Sequence, residues 1–485
     1  MLAKFLPTLA LASSLCLIGC VDRSGIQSHA KPLAHESFTL SAHSSHIPLT
    51  AWPEQSWWHV YQDPQLNQLM AKALAKSPTL KVTHARILKA QAISGVTESQ
   101  SHVQAELVGS VHRKQWPDDH FYGPGDLARS RTWDNTLHTG FRYALDFWDK
   151  IEKQTLKAHH SIALERAKAE SARLELAVQL IEQYILLSQY YQQLEVSKQE
   201  IEHRKLLIRL ADDRLSRGLG THQEVNVAKL PLTALKRQKD LYEEGIALTQ
   251  TKLAALAAIP LNQIQALGKP SLAISASVGL PAQLPLTLVA KRPDVQTALW
   301  QVKVQAADIE AREADFYPTV NLTAQLGAIA TQGSLLGFLT QRKTFAHFGP
   351  DFSLPIFDGG QRRDALGLSN AEYDVAVETY NQTLLNAFAE LSQQLIRWHS
   401  LEEQRHFVAQ ALTLAQQHVE HAQLRFDLGL SDYQSVLKAQ QELFAQTHLA
   451  ISIKSEQSAT QARLLTALGG GAVSHAEPLL SEPTP

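Results

Sequence analysis

The sequence is poor in residues that cross-link small folds and in the motifs of catalysis. Its 485 residues hold two cysteines, Cys16 and Cys20, both within the first twenty positions. That excludes an internal disulfide framework. Net charge is −2, with no block of one sign, which argues against nucleic acid as the main partner. There is no Walker loop, no glycine-rich phosphate cradle and no Gly-x-Ser-x-Gly elbow. His418 and His421 lie three apart, and His159 and His160 are adjacent. Neither pair has a third ligand in reach, so both read as helix-surface histidines. No metal, cofactor or catalytic residue is expected, and the chain reads as a non-enzyme.

The longest absence is of glycine and proline. None occurs from Lys150 to Arg217, where average usage would place about eight. An unbroken helix of that length spans about 100 Å, far beyond the ordinary globular helix. Leu176, Leu180, Tyr184, Leu187, Tyr191 and Leu194 step by four or three among Lys, Arg, Glu and Gln. That is one apolar stripe, suited to packing along other helices. A second rod, from Leu368 to Leu428, also lacks both residues.

The rods belong to an internal repeat. Arg214-Leu-Ser-Arg-Gly218-Leu219 returns as Arg425-Phe-Asp-Leu-Gly429-Leu430. Gln223, Val225, Ala228 and Leu232 correspond to Gln434, Val436, Ala439 and Leu443. Upstream, Ser77-Pro78 aligns with Arg292-Pro293, and Leu145 and Asp149 with Leu354 and Asp358. Each half reads helix, hairpin, long helix, glycine turn, returning helix. A glycine there suits a helix C-terminus. The first returning helix is expected to break near Pro231.

Lys4 precedes a short apolar run from Phe5 to Gly19, too short to span a membrane and shaped like a signal peptide. It ends Leu17-Ile18-Gly19-Cys20, similar to the bacterial lipobox. Cleavage after Gly19 would leave a covalent lipid on Cys20, and Val21 is compatible with the outer membrane. Asp22 to Thr50 reads as a solvated tether, with His29, His35, His43 and His46 too loosely spaced for a metal. Asp63-Pro64 reads as a helix N-cap followed by proline at the first helical position.

The expected division is a leader at 1–19 and a lipidated tether at 20–60. A first repeat at 61–260 has its hairpin at 102–148 and long helix at 150–217. After a linker at 261–284, a second repeat at 285–470 has its hairpin at 319–357 and long helix at 361–428. A flexible tail covers 471–485.

Within the hairpins the period drops to two. Val103, Ala105, Leu107, Gly109 and Val111 alternate with Gln104, Glu106, Ser110 and His112, with Val108 the exception. Trp133, Leu137, Phe141, Tyr143, Leu145 and Phe147 oppose Asp134, Thr136, His138, Arg142 and Asp146. The second half repeats this: Val320, Leu322, Ala324 and Leu326 oppose Asn321, Thr323 and Gln325. Phe348, Phe352, Leu354 and Ile356 oppose Asp351 and Ser353. Such strands match outer-membrane barrels, apolar towards lipid and polar towards a wet lumen. One chain offers only four, and the smallest bacterial barrels need about eight. Several copies must therefore contribute to one ring, and three would give twelve strands.

Taken together, these residues resemble the TolC-type outer-membrane factors, in particular the lipoprotein branch serving resistance-nodulation-division (NodT-like) efflux. The resemblance rests on Leu17 to Cys20, Trp57-Trp58 with Asp63-Pro64, and Tyr143-Ala-Leu-Asp-Phe-Trp148. It continues through Lys291-Arg-Pro-Asp294, Phe316-Tyr-Pro318, Pro355-Ile-Phe-Asp-Gly-Gly360, Arg425 to Leu430 and Ala467-Leu-Gly-Gly470. It implies an α+β membrane protein: a homotrimer sharing a twelve-stranded β-barrel, continuous with a long α-helical barrel with an equatorial belt. The tips at Arg214, Gly218, Leu219, Arg425, Gly429 and Leu430 would dock a periplasmic adaptor linked to an inner-membrane pump. The chain would be a passive exit duct for small molecules such as drugs, held in the outer membrane by lipid and barrel. Family members often carry two Asp shortly after the second tip, where this chain has Ser435 and Lys438. Glu224, Asp427 and Asp432 are the acids left near the tips, so weaker cation block at the aperture is expected. A type I protein-secretion duct shares the fold and differs in partner. A lipid-anchored coiled-coil scaffold would have rods but no membrane strands.

Overall fold

The computed structural model describes residues 25–33, 39–41, 56–116, 129–272, 283–285, 289–330, 335–336 and 343–471. Gly19, Cys20, His35, His43, His46 and the tail beyond Gly471 lie outside them. Along the chain come β1 (Thr39–Ser41), α1 (Pro64–Lys76), α2 (Pro78–Glu98), β2 (Gln104–Gln115), β3 (Arg131–Leu145), α3 (Lys150–Ser216) and α4 (His222–Ala257). There follow α5 (Leu261–Gln265), β4 (Gln283–Pro285), α6 (Pro293–Ala314), β5 (Thr319–Ala330), β6 (Thr344–Ser353), α7 (Gln361–Asp427) and α8 (Tyr433–Ala467). The series helix, hairpin, long helix, returning helix occurs twice. Both long helices have 67 residues. Two compact units emerge.

One unit comprises Arg86–Glu165 and Ala298–Tyr380, with residues 25–32. Its four strands form an antiparallel sheet in the order β2-β3-β5-β6. The register sets Leu107 opposite Thr139, Tyr143 opposite Leu322, and Ala324 opposite Phe348. Because successive side chains point to opposite faces, Leu107, Val111, Leu137, Phe141, Tyr143, Leu322, Leu326, Phe348 and Phe352 share one face. Glu106, His112, Asp134, His138, Arg142, Asn321, Gln325, His347 and Asp351 share the other. Val108 sits on the polar face, opposite His138.

Where the chain leaves the sheet, Asp146 accepts from the Ile151 and Glu152 amides and caps α3. The repeat alignment pairs Asp149 with the α7 cap Asp358, but Asp149 takes a left-handed φ of 57° instead. Asp358 accepts from the Gly360 and Arg362 amides and from the Arg362 guanidinium. A ladder of Lys150 to Asp315, Lys153 to Glu310 and Lys157 to Asp308, at 2.7–2.8 Å, then fastens α3 to α6 and its C-terminal turn. The spacing i, i+3, i+7 of the three lysines puts them on one helix face. Ser369 on α7 donates to the second Asp308 oxygen at 2.9 Å. The tether residues are laid on α7, where Asp374 accepts from the His29 and Ala30 amides.

The other unit contains the described residues of Leu33–Ala85, Arg166–Thr297 and Asn381–Pro485. Its core is the α3 stripe: Leu176, Leu180, Tyr184, Leu187 and Leu194 are buried against Trp57, Trp58, Tyr61, Leu66, Met70, Leu253 and Ala462. Asp63 is the polar centre of this core. It caps α1 through the Gln65 amide at 2.8 Å, and accepts from the Tyr184 hydroxyl at 2.9 Å and the Ser271 amide at 3.0 Å. Burial, reinforced by that bond to Asp63, pushes the Tyr184 hydroxyl far above its usual pKa and keeps it a donor. The buried Arg292 guanidinium reaches Asp294, Glu390 and the Ala467 carbonyl, joining α6, α7 and the end of α8.

One expectation is corrected. The helix through Pro231 does not break: α4 runs unbroken from His222 to Ala257. Proline removes one bond to the carbonyl four residues back, and that carbonyl belongs to exposed Val227, where water can replace the donor. Within the expected linker, α5 forms and buries Ile264. Elsewhere on α3, Arg173 pairs with Glu170 at 2.8 Å, and Glu175 accepts from Gln179.

Asp63→Ala is expected to cost about 2–4 kcal/mol, from a lost cap and a buried hydroxyl left without its acceptor, read as a lower melting temperature in detergent. Burial alone would raise the Asp308 carboxyl. Hydrogen bonds from Lys157 and Ser369, with the Lys157 and Arg312 charges, outweigh it and hold the pKa below the usual range. A folded pKa below the unfolded one stabilises above about pH 4 and is lost as pH falls through the folded value. Asp308→Asn is therefore expected to destabilise by about 1–3 kcal/mol at neutral pH and to shrink the difference between melts at pH 7 and pH 3.

Candidate functional site

Two features could act on something outside the chain. The first is the two-faced sheet. Leu107, Phe348 and Phe352 on its apolar face are 74%, 76% and 81% exposed, and Phe141, Tyr143 and Leu326 are exposed beside them. Such a dry, open face needs a non-aqueous neighbour. The opposite face holds the charges and the histidines. Thr323 there donates to Asp351 at 2.8 Å, and Lys114 lies 3.7 Å from Asp134. Edge strands β2 and β6 have no further partner among the described residues. Their outward amides and carbonyls cannot remain unpaired in lipid.

The second feature is the pair of helix reversals in the other unit. At the first, Leu219 N donates to the Arg214 carbonyl at 2.8 Å and Gly218 N to Leu215 at 3.0 Å. At the second, Leu430 N donates to Arg425 at 2.8 Å and Gly429 N to Phe426 at 2.9 Å. This is the same two-bond helix ending, with Gly218 at φ 70° and Gly429 at φ 72°. Leu219 and Leu430 point into the open, about two-thirds exposed. The next helices start on side-chain caps. Thr221 accepts from the Glu224 amide at 3.2 Å, and Asp432 accepts from the Ser435 amide at 3.0 Å and its hydroxyl at 2.8 Å.

Arg214 donates to the Leu219 carbonyl and lies 4.0 Å from Glu224. Asp432 is held below the ordinary carboxylate range by Ser435, helped by the charges of Lys438 and Arg214. Charge from both reversals thus acts on one carboxylate. Ser435 supplies a hydroxyl to its own helix cap, and Lys438 is exposed. Glu224 is part of the first reversal. The Thr221 cap was not singled out from the sequence, though Thr221-His-Gln-Glu224 spells the usual N-terminal capping pattern. His418 sits 3.2 Å from Glu442, and His160 meets the Lys303 carbonyl.

An antiparallel sheet with one dry and one polar face, in a chain whose long helices reverse at glycine tips, defines an outer-membrane channel protein. The chain belongs to the outer membrane efflux protein family, whose sequence pattern matches residues 69–258 and 284–470. It is 36% identical over 362 residues to the fusaric acid resistance protein FusA of Burkholderia cepacia, covering 74% of this chain and 68% of that protein. It is 25% identical over 483 residues to the multidrug resistance outer membrane protein MdtP of Escherichia coli, covering 97% of each. Among solved structures, the outer membrane protein VceC of Vibrio cholerae superimposes with a TM-score of 0.78 at 27% identity, covering 87% of this chain and all of that one. The outer membrane channel CmeC of Campylobacter jejuni shares the fold, with a TM-score of 0.82 at 20% identity over 92% of this chain and 95% of that one.

No atom lies within 4 Å of a Cβ built on Gly218 or Gly429. Gly218→Ala and Gly429→Ala are therefore expected to cost only the left-handed backbone, about 1 kcal/mol each, with Asn recovering part of it. Faster amide exchange confined to the reversals would be the signature.

Proposed function

We propose that three copies of this chain close one twelve-stranded barrel in the outer membrane. Their helices would form the duct that carries small molecules across the periplasm to the barrel. The observation that carries this is the four-stranded sheet, apolar on one face and polar on the other, with both edges open. Lipid tolerates such a sheet only when its edges are paired, and copies of the same chain supply matching edges. The duct is passive, with energy supplied by an inner-membrane pump through a periplasmic adaptor docked at Leu219 and Leu430. Relatives named for fusaric acid resistance, multidrug resistance and solvent efflux support small organic compounds as cargo. Cys20 carries the covalent lipid that adds a second hold on the membrane.

The purified full-length protein is expected to migrate as a heat-modifiable trimer and to open a steady conductance in planar bilayers. A non-conducting, water-soluble monomer would sink the reading. Leu219→Asp with Leu430→Asp should keep the trimer and conductance while abolishing drug resistance in a complemented deletion strain.

With Ser435 and Lys438 near the second reversal, hexammine-type cations added from the periplasmic side should block weakly. Installing Asp at both positions should strengthen block about ten-fold or more; tight block of the unaltered channel would overturn this.

A further inference from the structure

The apolar face of the sheet is uncharged along most of its height and then ends in arginine. At the end where β2 and β3 are joined, Arg113 lies directly opposite Trp133, and Gln115 opposite Arg131. These four share the face of Leu107, Val111, Leu137 and Phe141. The Arg113 guanidinium lies 5.3 Å from the Trp133 ring centre, and Arg131 donates to Gln115 at 3.1 Å. Both arginines are exposed, and neither meets a carboxylate among the described residues. The nearest strand acid, Asp134, alternates to the polar face and takes Lys114.

The height of this pair is set by the aromatics. Trp133 and Tyr143 stand on the same face of β3, 143 − 133 = 10 positions apart. That is about 34 Å of strand and, at the usual barrel tilt, about 25 Å of height. An outer-membrane apolar band has about that thickness between its two aromatic girdles. If Tyr143 marks the girdle nearer the helices, Trp133 marks the other, and Arg113 and Arg131 stand at the level of the outer headgroups. No arginine or lysine occupies the outward positions at the Tyr143 end, where Leu145, Leu322 and Phe352 stand instead. Diagonal cross-strand neighbours lie about 7–8 Å apart at Cα, so two guanidinium forks can close on one phosphate from both sides.

We propose that Arg113 and Arg131, with Trp133 beneath them, bind the phosphate of a phosphorylated glycolipid of the outer leaflet, its acyl chains lying along Val111, Leu137 and Phe141. The proposal rests on the barrel reading, in which this face meets lipid.

The test uses the full-length protein in phosphatidylcholine nanodiscs. Retained lipid is quantified by mass spectrometry for bis-phosphorylated lipid A and for the same lipid A stripped of phosphate. The unaltered protein should retain the phosphorylated form about ten-fold or more over the stripped one. Arg113→Ser with Arg131→Ser should remove that preference, and the double Lys variant should keep part of it. Arg142→Ser, on the polar face, should leave it intact. Equal retention of the two lipids by the unaltered protein, or undiminished preference in the double Ser variant, would overturn the site. Displacement by excess inorganic phosphate alone would also overturn it, because the acyl chains would then contribute nothing. If the double Ser variant fails to assemble, the two-lipid comparison on the unaltered protein still decides. Conductance of the same protein is read separately. Lipid preference without conductance would leave the site and sink the duct; conductance without preference would do the reverse.

Discussion

Backbone amides at the edge of a sheet must find carbonyls, and in a bilayer no water substitutes for them. That constraint governs this chain. Its sheet is too small to close on itself, yet it exposes Leu107, Phe348 and Phe352 on a face that water would disfavour. Among the described residues, strands β2 and β6 are therefore the unpaired edges of the sheet. The alternation that dries one face and wets the other also fixes the register. A slip of one residue would turn Arg142, Asp351 and His347 towards lipid.

The helical part is held by the opposite strategy. Its apolar stripes are non-directional and could slide by a turn against one another. What sets their register is a small number of buried polar ties, each reaching across several elements. Asp63 joins the α1 cap, Tyr184 and the Ser271 amide. Arg292 joins the start of α6 to α7 and the end of α8. Asp308 collects Lys157 and Ser369. Such groups add modest net stability when satisfied and are costly when broken, which suits them to selecting one alignment of long helices.

The reversals show how a repeated sequence diverges on a preserved backbone. Both end their long helix with the same two hydrogen bonds and a left-handed glycine. Their caps differ: Thr221 accepts one amide, while Asp432 takes an amide and a hydroxyl from Ser435. The Ser435 hydroxyl serves the cap, and Lys438 brings positive charge to Asp432. The backbone motif and the local charge can thus vary independently.

What was legible in the sequence was whatever depends on local period and on glycine and proline. The absence of both residues marked the rods, the period of two marked the strands and their faces, and the Gly-Leu phrases marked the reversals. Asp63 was readable as a cap because capping is local. Its bond to Tyr184 was not, because the two lie 121 residues apart in sequence. Pro231 misled because the penalty for proline inside a helix depends on whether water can reach the freed carbonyl. Asp149 aligns with the cap Asp358, yet Asp146 caps α3, because an alignment of letters does not say which carboxylate faces a helix end. The sequence by itself determined the elements, their duplication and the polarity of each strand, since these follow from the chemistry of near neighbours. Only the tertiary structure decided the strand order, the partners of Asp63, Arg292 and Asp308, and the meeting of Arg113 with Trp133. Those depend on which distant residues are brought within a few ångströms, and no local pattern encodes that distance.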